Sequence, residues 1–398
     1  MSAAALPLAA LPARRLDPRP ALWLKSSIVV AFLAASTAPS PLYAVWREAW
    51  GFSALTLTVV FASYAFALLA ALLVTGKLSD HRGRREVVLL GLALEFVAVA
   101  TFWQASSVGW LIAARALQGL ATGMATSALS AGLIDLHPKR GALVNSVAPM
   151  LGMAIGALGT GALVQFGPHP TRLVFELLLL VFALQALAAL WIPETVARRP
   201  GALRSMKPTL ALPARARGAL WRLLPANTAA WSLGGFFTSL GPSLARAVTG
   251  SHAPLVGGAL VATLVLSGAV AILVVRERDA RTVLAGGSAL LAVGIAGALA
   301  GVEAHSPLAF FGGTAVAGLG FGAAFNGSLR SLVPLAEAHE RAGLMSTFLV
   351  VSYLAFSLPS LAAGLAVGHY GLQAGSVGYG LVAMGLSVAA FVLTARRR

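Results

Sequence analysis

The chain has 398 residues, 58% of them hydrophobic and 11% charged, and a net charge of +16. Soluble domains carry roughly 25% charged residues, so this composition excludes an ordinary soluble protein and points to a polytopic membrane protein. The absence of cysteine excludes disulfides and thiolate metal sites.

Residues 1–20 are rich in Ala, Pro and Arg, without the apolar core of a cleaved signal peptide. Residues 1–25 are expected to form a disordered cytoplasmic tail. Twelve apolar runs follow, each long enough to cross a hydrocarbon core of roughly 30 Å as a helix. They are 26–46, 55–75, 87–106, 108–133, 142–166, 173–192, 223–245, 255–275, 283–302, 307–332, 342–367 and 372–394. The expected fold is an all-α membrane protein of twelve transmembrane helices in two six-helix bundles, 26–195 and 223–395. An Arg- and Pro-rich linker, 196–222, joins them.

Charge sets the orientation. Arg47, Arg172 and Arg246 fall in one set of loops, and Arg115 falls inside a span. Every other Lys and Arg lies in the tail, the linker, the C-terminus or at the alternate loops. Positive charge marks the cytoplasmic side, so both termini are expected inside the cell. The basic excess then reports orientation, and no nucleic-acid partner is expected.

The loop between spans two and three reads Gly76-Lys-Leu-Ser-Asp80-His-Arg-Gly83-Arg84-Arg85. As a tight hairpin, it would use Gly76 to end a helix close to its neighbour and Gly83 for a positive φ. Asp80 suits a helix N-terminus, and Arg84 and Arg85 hold the loop on the cytoplasmic face. The stretch resembles the signature of the major facilitator superfamily, G-x-L-x-D-x-x-G-R-R/K, at Gly76, Leu78, Asp80, Gly83, Arg84 and Arg85. The resemblance implies two pseudo-symmetric bundles around a central cavity and secondary transport by alternating access. It implies a gating role for Gly76, Asp80, Gly83, Arg84 and Arg85. The energy source would be a proton gradient, with no cofactor.

Span one contains Ser36-Thr37-Ala-Pro39-Ser40-Pro41-Leu-Tyr43. Its prolines bend the helix, and two readings stay open: a cavity lined by Thr37 and Tyr43, or a plain kink. Glu95 lies mid-way along span three and Arg115 within span four. Charges at such depth usually face a cavity or a partner. Arg115-Ala-Leu-Gln118-Gly119-Leu-Ala-Thr-Gly123 resembles the superfamily's fourth-helix motif, whose arginine is associated with proton coupling. Arg115 and Glu95 are thus the proton-coupling candidates, and Gln118 a cavity candidate. The alternatives are that Arg115 snorkels outward and that Glu95 is a neutral acid bonded between helices. Straight helices put the two at depths roughly 8 Å apart, so direct contact is not assured.

Asp135-Leu-His-Pro138-Lys-Arg140 resembles the family's acidic-then-basic loop and is expected to pair charges between helices as a latch. Span five carries Gly152, Gly156, Gly159 and Gly161. It resembles the antiporter motif G-x-x-x-G-P-x-x-G-G only in part, with Ala157 at the proline position, and close helix packing explains the glycines nearly as well. Span six ends in Pro193-Glu194-Thr195, an ending frequent in the superfamily. The halves repeat: Gly119 and Gly123 precede Asp135 and Arg140, as Gly318 and Gly322 precede Glu337 and Arg341. In the second half Asn227, Trp231 and Phe237 of span seven and Asn326 and Arg330 of span ten either line a pocket for an amphipathic ligand or pack helices.

No catalytic constellation, phosphate loop or metal-ligand spacing occurs, so the chain is not expected to be an enzyme. The expected function is proton-coupled efflux of small amphipathic or drug-like compounds. The alternative is proton-coupled uptake of a small metabolite, an organic acid or a sugar, with Arg115 and Arg330 suiting an organic anion. A non-transporting scaffold or receptor is the third reading. The partners implied are a small-molecule substrate, protons and lipid, for a monomer in the cell membrane.

Overall fold

A computed structural model describes residues 15–208, 210–337 and 340–395; residues 1–14 of the expected tail lie outside them. All described regular structure is helical. Pro18–Thr37 (α1) and Pro39–Trp50 (α2) make the first span, and Ala54–Thr75 (α3) the second. The short Leu78–Arg82 (α4) leads into Arg84–Trp103 (α5), Val108–Leu136 (α6), Pro138–Phe166 (α7) and Leu173–Ala189 (α8). After another short helix, Ala202–Ser205 (α9), Ala214–Ser239 (α10) and Gly241–Thr249 (α11) make the seventh span. Pro254–Val275 (α12), Ala280–Glu303 (α13), Pro307–Leu332 (α14), Arg341–Tyr370 (α15) and Leu372–Ala395 (α16) complete twelve.

Nine of these spans are long and apolar enough to cross a membrane by composition alone. The other three carry α8, which is short, α6, which holds Arg115, Gln118 and Asp135, and α10, which opens with Arg215, Arg217 and Arg222. Starts follow local chemistry. The Ser53 and Ser306 hydroxyls and the Asp279 carboxylate accept the N–H of Thr56, Ala309 and Thr282. Pro39, Pro138, Pro254 and Pro307 stand in first turns, where no N–H is needed.

Two boundaries differ from expectation. The first helix begins at Pro18, which takes Lys25 out of the tail and buries it. The seventh span begins at Ala214, nine residues inside the expected linker. There Ala216, Leu220 and Leu223 are buried while Arg215 and Arg217 are exposed. This is an amphipathic turn pattern, which a search for continuous apolar runs overlooks.

The glycines of α7 serve packing on two sides. A side chain at Gly152 would meet Val30 and Leu33, and one at Gly156 would meet Ala34 and Thr37, all on α1. Further along, Gly161 lies against Leu255, and Gly258 of α12 against Ala157. The two bundles therefore meet through α7 and α12, where Met150 and Ala154 pack among Ala262, Val265, Ala269 and Ile272. They also meet through α3 and α15, where Tyr64 and Leu68 pack with Tyr353 and Phe356. One face of the protein carries the α3–α5 loop and the linker and is called here the basic face. On the opposite face Arg246 Nη1 pairs with Glu48 Oε1 across the bundles at 2.7 Å.

Candidate functional site

The loop on the basic face is built around Arg84. Its Nε lies 3.3 Å from Asp135 Oδ2, and its Nη1 donates to Ser79 Oγ at 2.6 Å and to Asp80 Oδ1. Asp80 stands in the first turn of α4. Gly83 has the expected positive φ, +104°, and the Glu194 carboxylate occupies the space its Cβ would take. Gly76 ends α3 as its C-cap, in right-handed geometry, but a Cβ there would meet only Leu72 of the same helix, so no neighbouring helix approaches it.

Glu194 holds the start of α5. Its two carboxylate oxygens accept the backbone N–H of Arg84 at 2.7 Å and of Arg85 at 3.1 Å, a favoured place for negative charge. Thr195 Oγ1 donates to Asp135 Oδ2 at 2.8 Å, and Arg85 Nη1 to Leu190 O at 3.2 Å. The network thus ties the loop to the ends of α6 and α8. Beneath it Lys25 of α1, fully buried, donates to Gly132 O at 3.2 Å.

Deeper in the first bundle, Glu95 and Arg115 are 0% and 1% exposed. Arg115 therefore does not snorkel. Gln118 bridges the pair: Arg115 Nη1 donates to Gln118 Oε1 at 2.7 Å, and Gln118 Nε2 donates to Glu95 Oε1 at 3.1 Å. The same Nη1 donates to Ser36 O of α1 at 2.7 Å. The guanidinium carbon lies 4.7 Å from the Tyr64 ring centre, 5.5 Å from Phe61 and 5.9 Å from Tyr43, within cation–π range. Tyr43 is buried, and its hydroxyl has no partner among the described residues. Thr37 instead tethers α1 to α7, donating to Met153 O at 2.8 Å.

The second-bundle candidates do not form one site. Trp231 sits in a ring cluster with Tyr353 at 5.0 Å, Phe325 at 5.8 Å and Phe356 at 5.9 Å. Asn227 Nδ2 donates to Ser352 Oγ at 3.0 Å, joining α10 to α15. Phe237 lines a separate apolar cavity with Leu233, Phe236 and Tyr379. Asn326 lines an open cleft with Lys139, Arg140 and Arg276 on the basic face. Arg330 donates to Val275 O at 3.3 Å and Arg278 O at 2.7 Å. Its charge anchors the α12–α13 loop, because it sits too near the helix end to reach the interior.

Sequence reasoning missed the residues that join the two bundles. Phe61 of α3 and Phe356 of α15 have ring centres 4.9 Å apart. They place the Glu95–Gln118–Arg115 chain and the Trp231 cluster on either side of one contact. The available signal was the spacing: Phe61 and Tyr64, like Tyr353 and Phe356, stand three apart and so share a helix face.

Comparison with known proteins agrees with this architecture. The Major Facilitator Superfamily model matches residues 26–279. A stretch of 114 residues, 28% of this chain, is 32% identical to an uncharacterized MFS-type transporter of Mycobacterium tuberculosis, covering 20% of that protein. A stretch of 112 residues, 26% of this chain, is 33% identical to Multidrug resistance protein 3 of Bacillus subtilis, covering 22% of it. The chain thus spans about a fifth of the length of these curated relatives. The fold is similar to a crystal structure of the nucleoside transporter NupG. The TM-score is 0.72 with 13% identity, over 96% of this chain and 100% of that one. With well over half its length matched by the family model, the chain belongs to the Major Facilitator Superfamily.

Proposed function

We propose that the protein is a secondary active transporter of the cell membrane that exports small amphipathic, drug-like compounds in exchange for protons, by alternating access. One observation carries the reading. The buried Glu95–Gln118–Arg115 chain reaches, through Phe61 and Phe356, a ring cluster on the other bundle. A group able to take up a proton and a surface able to hold an apolar body therefore share the junction that must open and close. The B. subtilis relative bears a multidrug-resistance name, which agrees with an amphipathic cargo.

Ion pairing supports a conformation with its mouth toward the cytoplasm, taken as the basic face. Arg246 and Glu48 join the bundles on the opposite face. On the basic face Arg84 pairs with Asp80 and Asp135 inside the first bundle, and Arg215 with Glu337 and Glu340 beside the second. Uptake of an organic anion loses one of its supports, because Arg330 is held by backbone carbonyls.

The test is transport of a panel of amphipathic dyes in proteoliposomes under an imposed pH gradient, with internal pH followed in parallel. At least one dye should move uphill while protons move the opposite way. Dye and protons moving together, or no protein-dependent movement, would refute export by exchange.

A further inference from the structure

Among the described residues, three buried side-chain atoms at the junction of the bundles have no hydrogen-bond partner, Arg115 Nε, Tyr43 Oη and Trp231 Nε1, and a fourth, Glu95 Oε2, lies beside them within the first bundle. The three at the junction belong to donors. A guanidinium and an indole N–H can only donate, and a phenol can donate. Buried donors are ordinarily paired, and leaving one unpaired is costly. Three at one junction, two of them beside each other, call for an outside acceptor. Arg115 is also a buried cation whose link to a carboxylate runs through Gln118; no ion pair of Arg115 occurs among the described residues. Beyond it, ring contacts form a continuous path between the bundles. The steps are 5.5 Å from Arg115 to Phe61, 4.9 Å to Phe356 and 5.9 Å to Trp231.

We propose that the transported molecule presents a hydrogen-bond acceptor oxygen, as in a carbonyl or carboxylate, to Arg115 and Tyr43. Its aromatic or alicyclic body lies along Phe61, Phe356 and Trp231. A cationic head is disfavoured at the Arg115 end, where like charges would meet in a medium of low dielectric constant. The free carboxylate oxygen that could face a cation, Glu95 Oε2, stands behind Gln118, one residue further from the rings. This names the class of cargo for the proposed transporter and rests on that reading for its being carried, while binding itself requires neither a direction nor a gradient.

The experiment is equilibrium binding to the full chain in nanodiscs, with no pH gradient. Three probes share one biaryl body and end in a carboxamide, a carboxylate or a trimethylammonium group; a fourth is the bare hydrocarbon. The oxygen-ended probes should bind at least about tenfold more tightly than the ammonium probe. Tyr43→Phe keeps the ring and deletes one donor assigned to the oxygen. It should weaken at least one oxygen-ended probe by about tenfold and leave the hydrocarbon unchanged. Equal or tighter binding of the ammonium probe overturns the assignment. So does wild-type affinity of this variant for both oxygen-ended probes, or no saturable binding of either probe by the wild-type chain. Because no gradient is applied, loss of the export reading in vesicles leaves this measurement intact, and its failure leaves the export test intact.

Discussion

The carboxylate of Glu194 accepts the backbone N–H of Arg84 at 2.7 Å, so the segment that leaves the first bundle after α8 caps the helix that follows the signature loop. Arg84 therefore has anchors at its backbone and at its side chain, and Asp80 is one of several. Removing Asp80 alone should leave the hairpin folded, since Ser79 and Asp135 still hold the guanidinium. The Asp80 side chain is 52% exposed, and such surface pairs contribute about 0–1 kcal/mol. Asp80→Asn is expected to insert and melt like wild type yet transport more slowly, because the balance between conformations shifts. A purified variant that transports at the wild-type rate would remove Asp80 from the gate.

The spans were legible because a membrane helix must satisfy its own backbone and be apolar over a fixed length. The loop's charges were legible because few charges occur between such runs. The role of Glu194 was not: Pro193-Glu194-Thr195 is visible in sequence, but only folding brings it to the start of α5, more than a hundred residues away. Lys25 was misplaced because a long side chain beside an apolar run looks like tail, and its burial depends on the bare backbone of Gly132 opposite. Arg115, Gln118 and Glu95 stood out as polar residues in apolar helices, while the bridge between them depends on how α5 and α6 pack. Phe61, Tyr64, Tyr353 and Phe356 stayed hidden because aromatic residues in a membrane helix are equally at home against lipid.

Arg246 and Glu48 are the ion pair that joins the bundles on the face opposite the loop. The chain has no native cysteine, so Glu48→Cys with Arg246→Cys can be joined by a bis-maleimide without background. The crosslink should form readily and stop transport, because it holds that mouth closed. Crosslinked protein that transports like the uncrosslinked double variant would show that this contact need not break during the cycle.

The linker is anchored near both of its ends. Near its start Arg199 N–H donates to His81 O at 2.9 Å, and Arg198 pairs with Glu86 at 2.9 Å. Near its end Thr347 Oγ1 donates to Ala211 O at 3.1 Å. A broad-specificity protease should cut first within the linker and release two membrane-embedded halves. First cleavage inside a span, with this stretch spared, would overturn the proposed division at 196–222.

Energy coupling turns on Gln118, whose amide is the sole described bridge between Glu95 and Arg115. If protonation of Glu95 is sensed at the junction of the bundles, the signal must pass through this amide or through helix movement. Gln118→Leu keeps the volume and cuts both hydrogen bonds. Glu95→Gln removes the titrating group, and Arg115→Ala removes the charge at the junction. All three are expected to lose uphill transport driven by a pH gradient. Gln118→Leu and Glu95→Gln should keep substrate exchange without a gradient, since neither removes a group that faces the rings. Arg115→Ala should impair exchange as well, because it deletes a donor assigned to the cargo. Normal gradient-driven transport in both Glu95→Gln and Arg115→Ala would sink this assignment. A normal rate in Gln118→Leu alone would leave Glu95 and Arg115 coupled through the movement of α5 against α6, and a double-mutant cycle between them would then measure that coupling directly.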